Sequence, residues 1–122
     1  MDCTLTAPSP EQASALLAMV PYRERLKMGR MRWPSGFMAM PVRSLHEVHI
    51  NLMMDEKSTP AIHFPSLSTW VDKVVGDGEL AKVIDACVVN DDNSYAEQCQ
   101  QLHTIIGMRL VQLREIADVS DF

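Results

Sequence analysis

The segment from Asp92 to Asp118 constrains this chain more than any other. It contains no proline and one glycine, Gly107. Set out at 100° per residue, Tyr95, Cys99, Leu102, Ile106, Leu110, Leu113 and Ala117 fall on one stripe. That spacing predicts a long amphipathic α-helix, which needs apolar partners along its whole length. Two apolar residues do not fit the stripe. Met108 and Val111 project to the opposite side, among Gln100, Gln101, Thr104, Gln112 and Glu115. Gly107 sits beside them although glycine is disfavoured in a helix by about 1 kcal/mol relative to alanine. The expectation is a second packed face at Gly107, Met108 and Val111, where another backbone comes close, most simply across a two-fold subunit contact. The alternative is that a hairpin of the same chain covers it.

Shorter helices are announced by their starts. Ser9-Pro10-Glu11-Gln12 and Ser44-Leu45-His46-Glu47 both read as capping boxes, the first with proline at the first helical position. The first helix buries Ala13, Leu16, Leu17 and Val20 and ends at Pro21, which cannot continue it. The second runs to about Met54, and a loop follows from Asp55 to Pro65, by its polar start and two prolines. Ser66 is expected to cap a third helix, with Leu67, Trp70, Val71 and Val74 inward and Gly76 closing it. Asp77 caps a fourth, with Leu80, Val83, Ile84, Cys87 and Val88 inward. The turn at residues 90–93 leads to the long helix, capped by Ser94 or Asp92.

Between Met28 and Pro41 the periodicity changes to two. Met31 and Trp33 alternate with Arg30 and Arg32, a proline-glycine turn follows at 33–36, and Phe37 to Met40 returns. The fold class is therefore mainly α, loosely α+β: about five helices, one small β-hairpin near residues 28–42, and a long C-terminal helix. An isolated hairpin is marginal in water, so this one must lie on the helices or be extended by another copy. All 122 residues fit one domain, with residues 1–8 as a flexible arm.

Composition excludes several functions. With 47% hydrophobic and 22% charged residues the chain is of globular type. No apolar run approaches the roughly 18 residues of a membrane helix, and the start lacks a signal-peptide pattern, so the expected location is cytoplasmic. Cys3, Cys87 and Cys99 are odd in number and not at metal spacing, which argues against a disulfide framework. Residues 1–43 hold six basic and three acidic side chains, and residues 44–122 five basic and thirteen acidic. Such a balance excludes general nucleic-acid binding. The fourth helix fails as a DNA reader for the same reason: Glu79, Lys82 and Asp85 have the wrong net sign.

Four candidate features remain. His46 and His49 are three apart on a helix and are weak metal candidates, with His63 or His103 to complete a site. HEVH is not the zinc-protease HExxH, and Glu47 is more simply a cap than a base. Six of nine methionines lie between Met28 and Met54, an adaptable apolar surface more readily than a copper site. Trp33, Met38, Met40, His46 and His49 are the candidate lining of a pocket between the hairpin and the 45–54 helix. Arg23, Arg25, Arg30 and Arg32, in a basic run with Lys27, are candidates for an anion or acidic partner, against the plainer reading that they face the chain's own acidic part. There is no glycine-rich phosphate loop, GxSxG or CxxC, and no cofactor is expected.

Read together, these features favour a small non-enzymatic binding or adaptor protein, a homodimer with a protein partner. A variant of that reading is an inhibitor or immunity-type protein covering a basic target. The rival is a small-molecule- or metal-binding protein, or an enzyme, using the Met/His-lined pocket.

Overall fold

The structure is a computed structural model and describes residues 8–32, 36–53, 58–88 and 94–119, without the side chains of 118 and 119. Apart from Pro8, the expected N-terminal arm lies outside the described residues. So do Trp33, Met54 and the turn at 90–93.

The long helix is α5, Tyr95–Val119. Cys99, Leu102, Ile106 and Leu113 on its stripe are fully buried, and Leu110 is nearly so. Each buried leucine or isoleucine contributes about 1.5–3 kcal/mol relative to exposure, so this stripe anchors the core. Helices α1 (Pro10–Leu17), α2 (Leu45–Asn51) and α4 (Gly78–Val88) each pack on α5, and α3 (Phe64–Trp70) packs on α4. With a three-stranded antiparallel sheet beside them, the fold is mainly α with some β. No helix among the described residues is long and apolar enough to cross a membrane.

The helix starts follow from their residues. The Ser9 and Ser44 hydroxyls accept from the N–H groups of Gln12 and Glu47, each at 3.2 Å. Asp77 Oδ1 accepts from Leu80 N–H, and Ser94 Oγ from Glu97 N–H, again at 3.2 Å. Each cap satisfies a donor that a helix start leaves unpaired, which is worth about 1 kcal/mol. At the other end of α3 the chain widens into a π-helical turn, Val71–Val75. Gly76 closes it at φ +90°, and its N–H and that of Asp77 both donate to the Val71 carbonyl.

Three boundaries differ from expectation. Helix α1 ends at Leu17, not Val20. Val20 pairs instead with Arg43: its N–H donates to the Arg43 carbonyl at 2.7 Å, and Arg43 Nε returns to the Val20 carbonyl at 2.8 Å. Helix α3 begins at Phe64, two residues before Ser66, with Pro65 in its first turn, where a missing N–H does no harm. Most importantly, the expected loop contains a strand, β3 (Ser58–Ala61), which joins the hairpin strands β1 (Gly29–Arg32) and β2 (Gly36–Ala39) in the order β2-β1-β3.

The register explains how a strand can hold Pro60. Met40 N–H donates to Met28 O, and Leu26 and Val42 exchange two bonds, so the even-numbered residues of β1 turn their polar groups toward β2. Pro60 lies opposite Arg30, an even position, so its missing N–H would have pointed away from β1. Its carbonyl points the same way and accepts from Tyr95 Oη at 2.7 Å, while Ile62 N–H donates to that oxygen at 3.0 Å. The first turn of α5 thereby closes the β3 edge.

Candidate partner-binding site

Strand parity divides the sheet into two faces. Leu26, Met28, Val42 and Pro60 project inward and are buried. The outer face carries Gly29, Met31, Phe37, Ala39, Thr59 and Ala61 in cross-strand rows. Here Met31 is 50% and Phe37 61% exposed, large apolar side chains presented to solvent. The Phe37 ring leans over Gly29, where a Cβ would stand 2.7 Å from two ring atoms.

Beside this face rises a 3₁₀ turn, Tyr22–Glu24, fixed to α3 by a 2.7 Å bond from Trp70 Nε1 to the Glu24 carbonyl. Tyr22 is 60% exposed, and the Arg25 guanidinium lies 4.1 Å from its ring centroid while donating to its carbonyl at 3.0 Å. Turn and sheet enclose an open groove of about 810 Å³. Phe37, Ala39, Ala61 and Ile62 give it an apolar lining, Arg25 and Lys27 add two positive charges, and among the described residues no carboxylate lines it. Such a volume suits a small ligand or a few residues of a peptide.

Of the residues expected to line a pocket between hairpin and α2, Met38 lies in β2 opposite Arg30, Met40 pairs with Met28, Trp33 lies outside the described residues, and His46 and His49 turn to α5. The basic run separates as well. Arg30 is structural: it donates to Ser58 Oγ at 2.9 Å and to the carbonyls of Asn51 (2.8 Å) and Met53 (2.7 Å), tying the sheet to the end of α2. Arg23 and Arg32 are exposed, and Arg25 stands at the groove. Among the described residues none of the four pairs with a carboxylate.

The histidines form a packing cluster. His49 and His103 stack with centroids 4.1 Å apart and planes 12° from parallel. Gly107 makes room for them, since a Cβ there would stand 2.7 Å from His49 Nε2. The close approach expected of Gly107 is therefore met within the chain, by a side chain of α2. Arg114 Nη2 donates to His46 Nδ1 at 2.6 Å, and His103 Nε2 is buried without a partner among the described residues. His63 lies apart from them, lining the groove and bonded to Ser66 at 2.7 Å. No three described side chains of metal-ligand type are placed to hold an ion.

Burial lowers the His49 pKa, and His103, His46 and Arg114 add to the effect. The folded chain therefore binds this proton less readily than the unfolded one, whose histidines titrate near 6.5. The contribution is complete above that pH and is lost as pH falls through the window beneath it. His49→Gln should accordingly lower Tm more at about pH 7.5 than at about pH 5.5. A difference that does not change with pH would mean that His49 carries no such linkage.

Cys87 and Cys99 are buried, as their helix faces predict, and burial pushes the Cys99 thiol up. Burial likewise raises the Tyr95 phenol to about 12. Neither group is poised to attack a substrate near neutral pH. On α5, Met108 is 56% and Val111 54% exposed, so the hairpin of the same chain does not cover them. Sequence reasoning named Arg25 and, in the same basic run, Lys27, but missed Tyr22, Phe37 and Ile62. The available signal was the odd-numbered parity of the hairpin, which places Phe37 and Ala39 together.

Comparison with family models, with curated proteins and with solved structures finds no match to this chain.

Proposed function

We propose that this protein is a non-catalytic binding protein that holds a partner on the outer face of its sheet. The observation that carries this reading is the convergence of exposed Tyr22 and Phe37 with Ala39, Ala61 and Ile62 around one open groove. Scattered apolar residues are ordinary on a protein surface, but a cluster at a concavity marks interaction sites. A cytoplasmic location fits this reading. The test is emission of anilinonaphthalene sulfonate, an apolar dye with one negative charge, added to the folded protein. Phe37→Ser should reduce the emission severalfold, and Met108→Glu should not; equal emission from wild type and Phe37→Ser contradicts the reading.

A second element is homodimerisation through α5, favoured by the exposure of Met108 and Val111 on one side of an otherwise polar surface. Light scattering should give twice the chain mass at tens of micromolar and a monomer for Met108→Glu. A wild-type monomer overturns it.

A further inference from the structure

We infer that the groove takes an acidic segment of a partner protein, an extended stretch in which one or two aliphatic or aromatic side chains are flanked by carboxylates. This inference rests on the groove being the partner site. Its first support is the charge of the groove lining. Arg25 and Lys27 line the groove, and among the described residues no acidic residue lines it and neither is paired with a carboxylate. Arg25 is also oriented, because the Tyr22 ring and carbonyl hold its guanidinium from one side. A guanidinium fixed in this way loses less freedom on binding a carboxylate than a free one.

The second support is contrast. Residues 44–122 hold thirteen acidic against five basic side chains, so an acidic segment is repelled by most of the molecule and attracted here. That combination gives orientation and selectivity more than raw affinity. The third is the apolar part of the lining. Phe37, Ala39, Ala61 and Ile62 offer no hydrogen bond from their side chains, so a small inorganic anion would leave them uncovered. An apolar anchor covers them, and flanking carboxylates reach Arg25 and Lys27.

Three labelled peptides test this by fluorescence anisotropy at low salt. All share a central leucine-phenylalanine pair, flanked by glutamates, by serines or by lysines. The glutamate peptide should bind about tenfold tighter than the serine peptide and the lysine peptide weakest, as expected for two partly exposed charge pairs. The advantage should shrink as salt screens it. In the Arg25→Glu/Lys27→Glu protein the order should reverse. Because Arg25 also braces its own turn, Lys27→Glu alone serves as a second variant, expected to reduce the glutamate preference about threefold, with a cooperative melt confirming the fold. Equal binding of the glutamate and serine peptides to wild type overturns the inference, as does a glutamate preference that survives both substitutions. If the peptides bind equally and Phe37→Ser abolishes binding, the charge inference fails while the groove reading stands. If none binds and dye emission ignores Phe37→Ser, the groove reading itself fails.

Discussion

Replacing Arg109 by methionine is expected to destabilise the fold by about 3–5 kcal/mol, the range for breaking a buried ion pair from one side. Arg109 and Asp77 are both almost wholly buried, and they meet through two bonds, Nε to Oδ2 at 2.8 Å and Nη2 to Oδ1 at 3.0 Å. Arg109 Nη1 also donates to Gln112 at 2.7 Å. Methionine fills much of the arginine stem volume but leaves the Asp77 carboxylate without its cation, and Asp77 is also the cap of α4. A domain of this size has roughly 5–15 kcal/mol in total, so urea unfolding should show a large fall in midpoint. Asp77→Asn combined with Arg109→Met should recover part of the loss, because no buried charge then remains. A loss below about 1 kcal/mol for Arg109→Met would mean that the pair is solvated and does not link α4 to α5.

Gly29→Val is expected to destabilise by about 3 kcal/mol, the upper end for forcing atoms into a filled space. Valine is ordinarily the better strand residue, by up to about 1 kcal/mol, so propensity alone predicts the opposite sign. At Gly29 the added Cβ meets the Phe37 ring at 2.7 Å and the Met38 carbonyl oxygen, which is main chain and cannot rotate away. Strand β1 is central, so it cannot retreat from β2 without disturbing its pairing with β3. Urea unfolding measures the effect, and a stabilised Gly29→Val protein would show that the ring does not lie against β1.

These two sites also show where sequence reading succeeds and where it stops. Helix starts were legible because a cap is a local event: Ser9, Ser44 and Ser94 act on residues three positions away. The α5 stripe was legible because burial on a helix has a period. Strand β3 was not, since Pro60 argues against a strand unless its missing N–H falls on the outer edge, and that depends on register with a distant segment. The partner of Gly107 was hidden for a similar reason. A glycine signals close approach but not by what, and here it is His49, 58 positions away, by the numbering. Arg109 lies between the buried stripe and the polar side, and nothing local says that Asp77 will meet it. In the hairpin the alternation was visible, but which parity lines the groove was not: Phe37 and Ala39 line it, and Met38 and Met40 have the opposite parity. A slip of one residue exchanges the two faces of a strand.

The central claim, that the outer sheet face is where a partner binds, is tested most directly by backbone amide chemical shifts. The glutamate-flanked peptide is titrated into isotope-labelled protein and the responding amides are mapped. The account predicts saturable shifts at Lys27, Phe37, Ala39, Ala61 and Ile62, with Met108 and Val111 unmoved. Shifts confined to α5, or none at concentrations where the peptide binds by anisotropy, would contradict it.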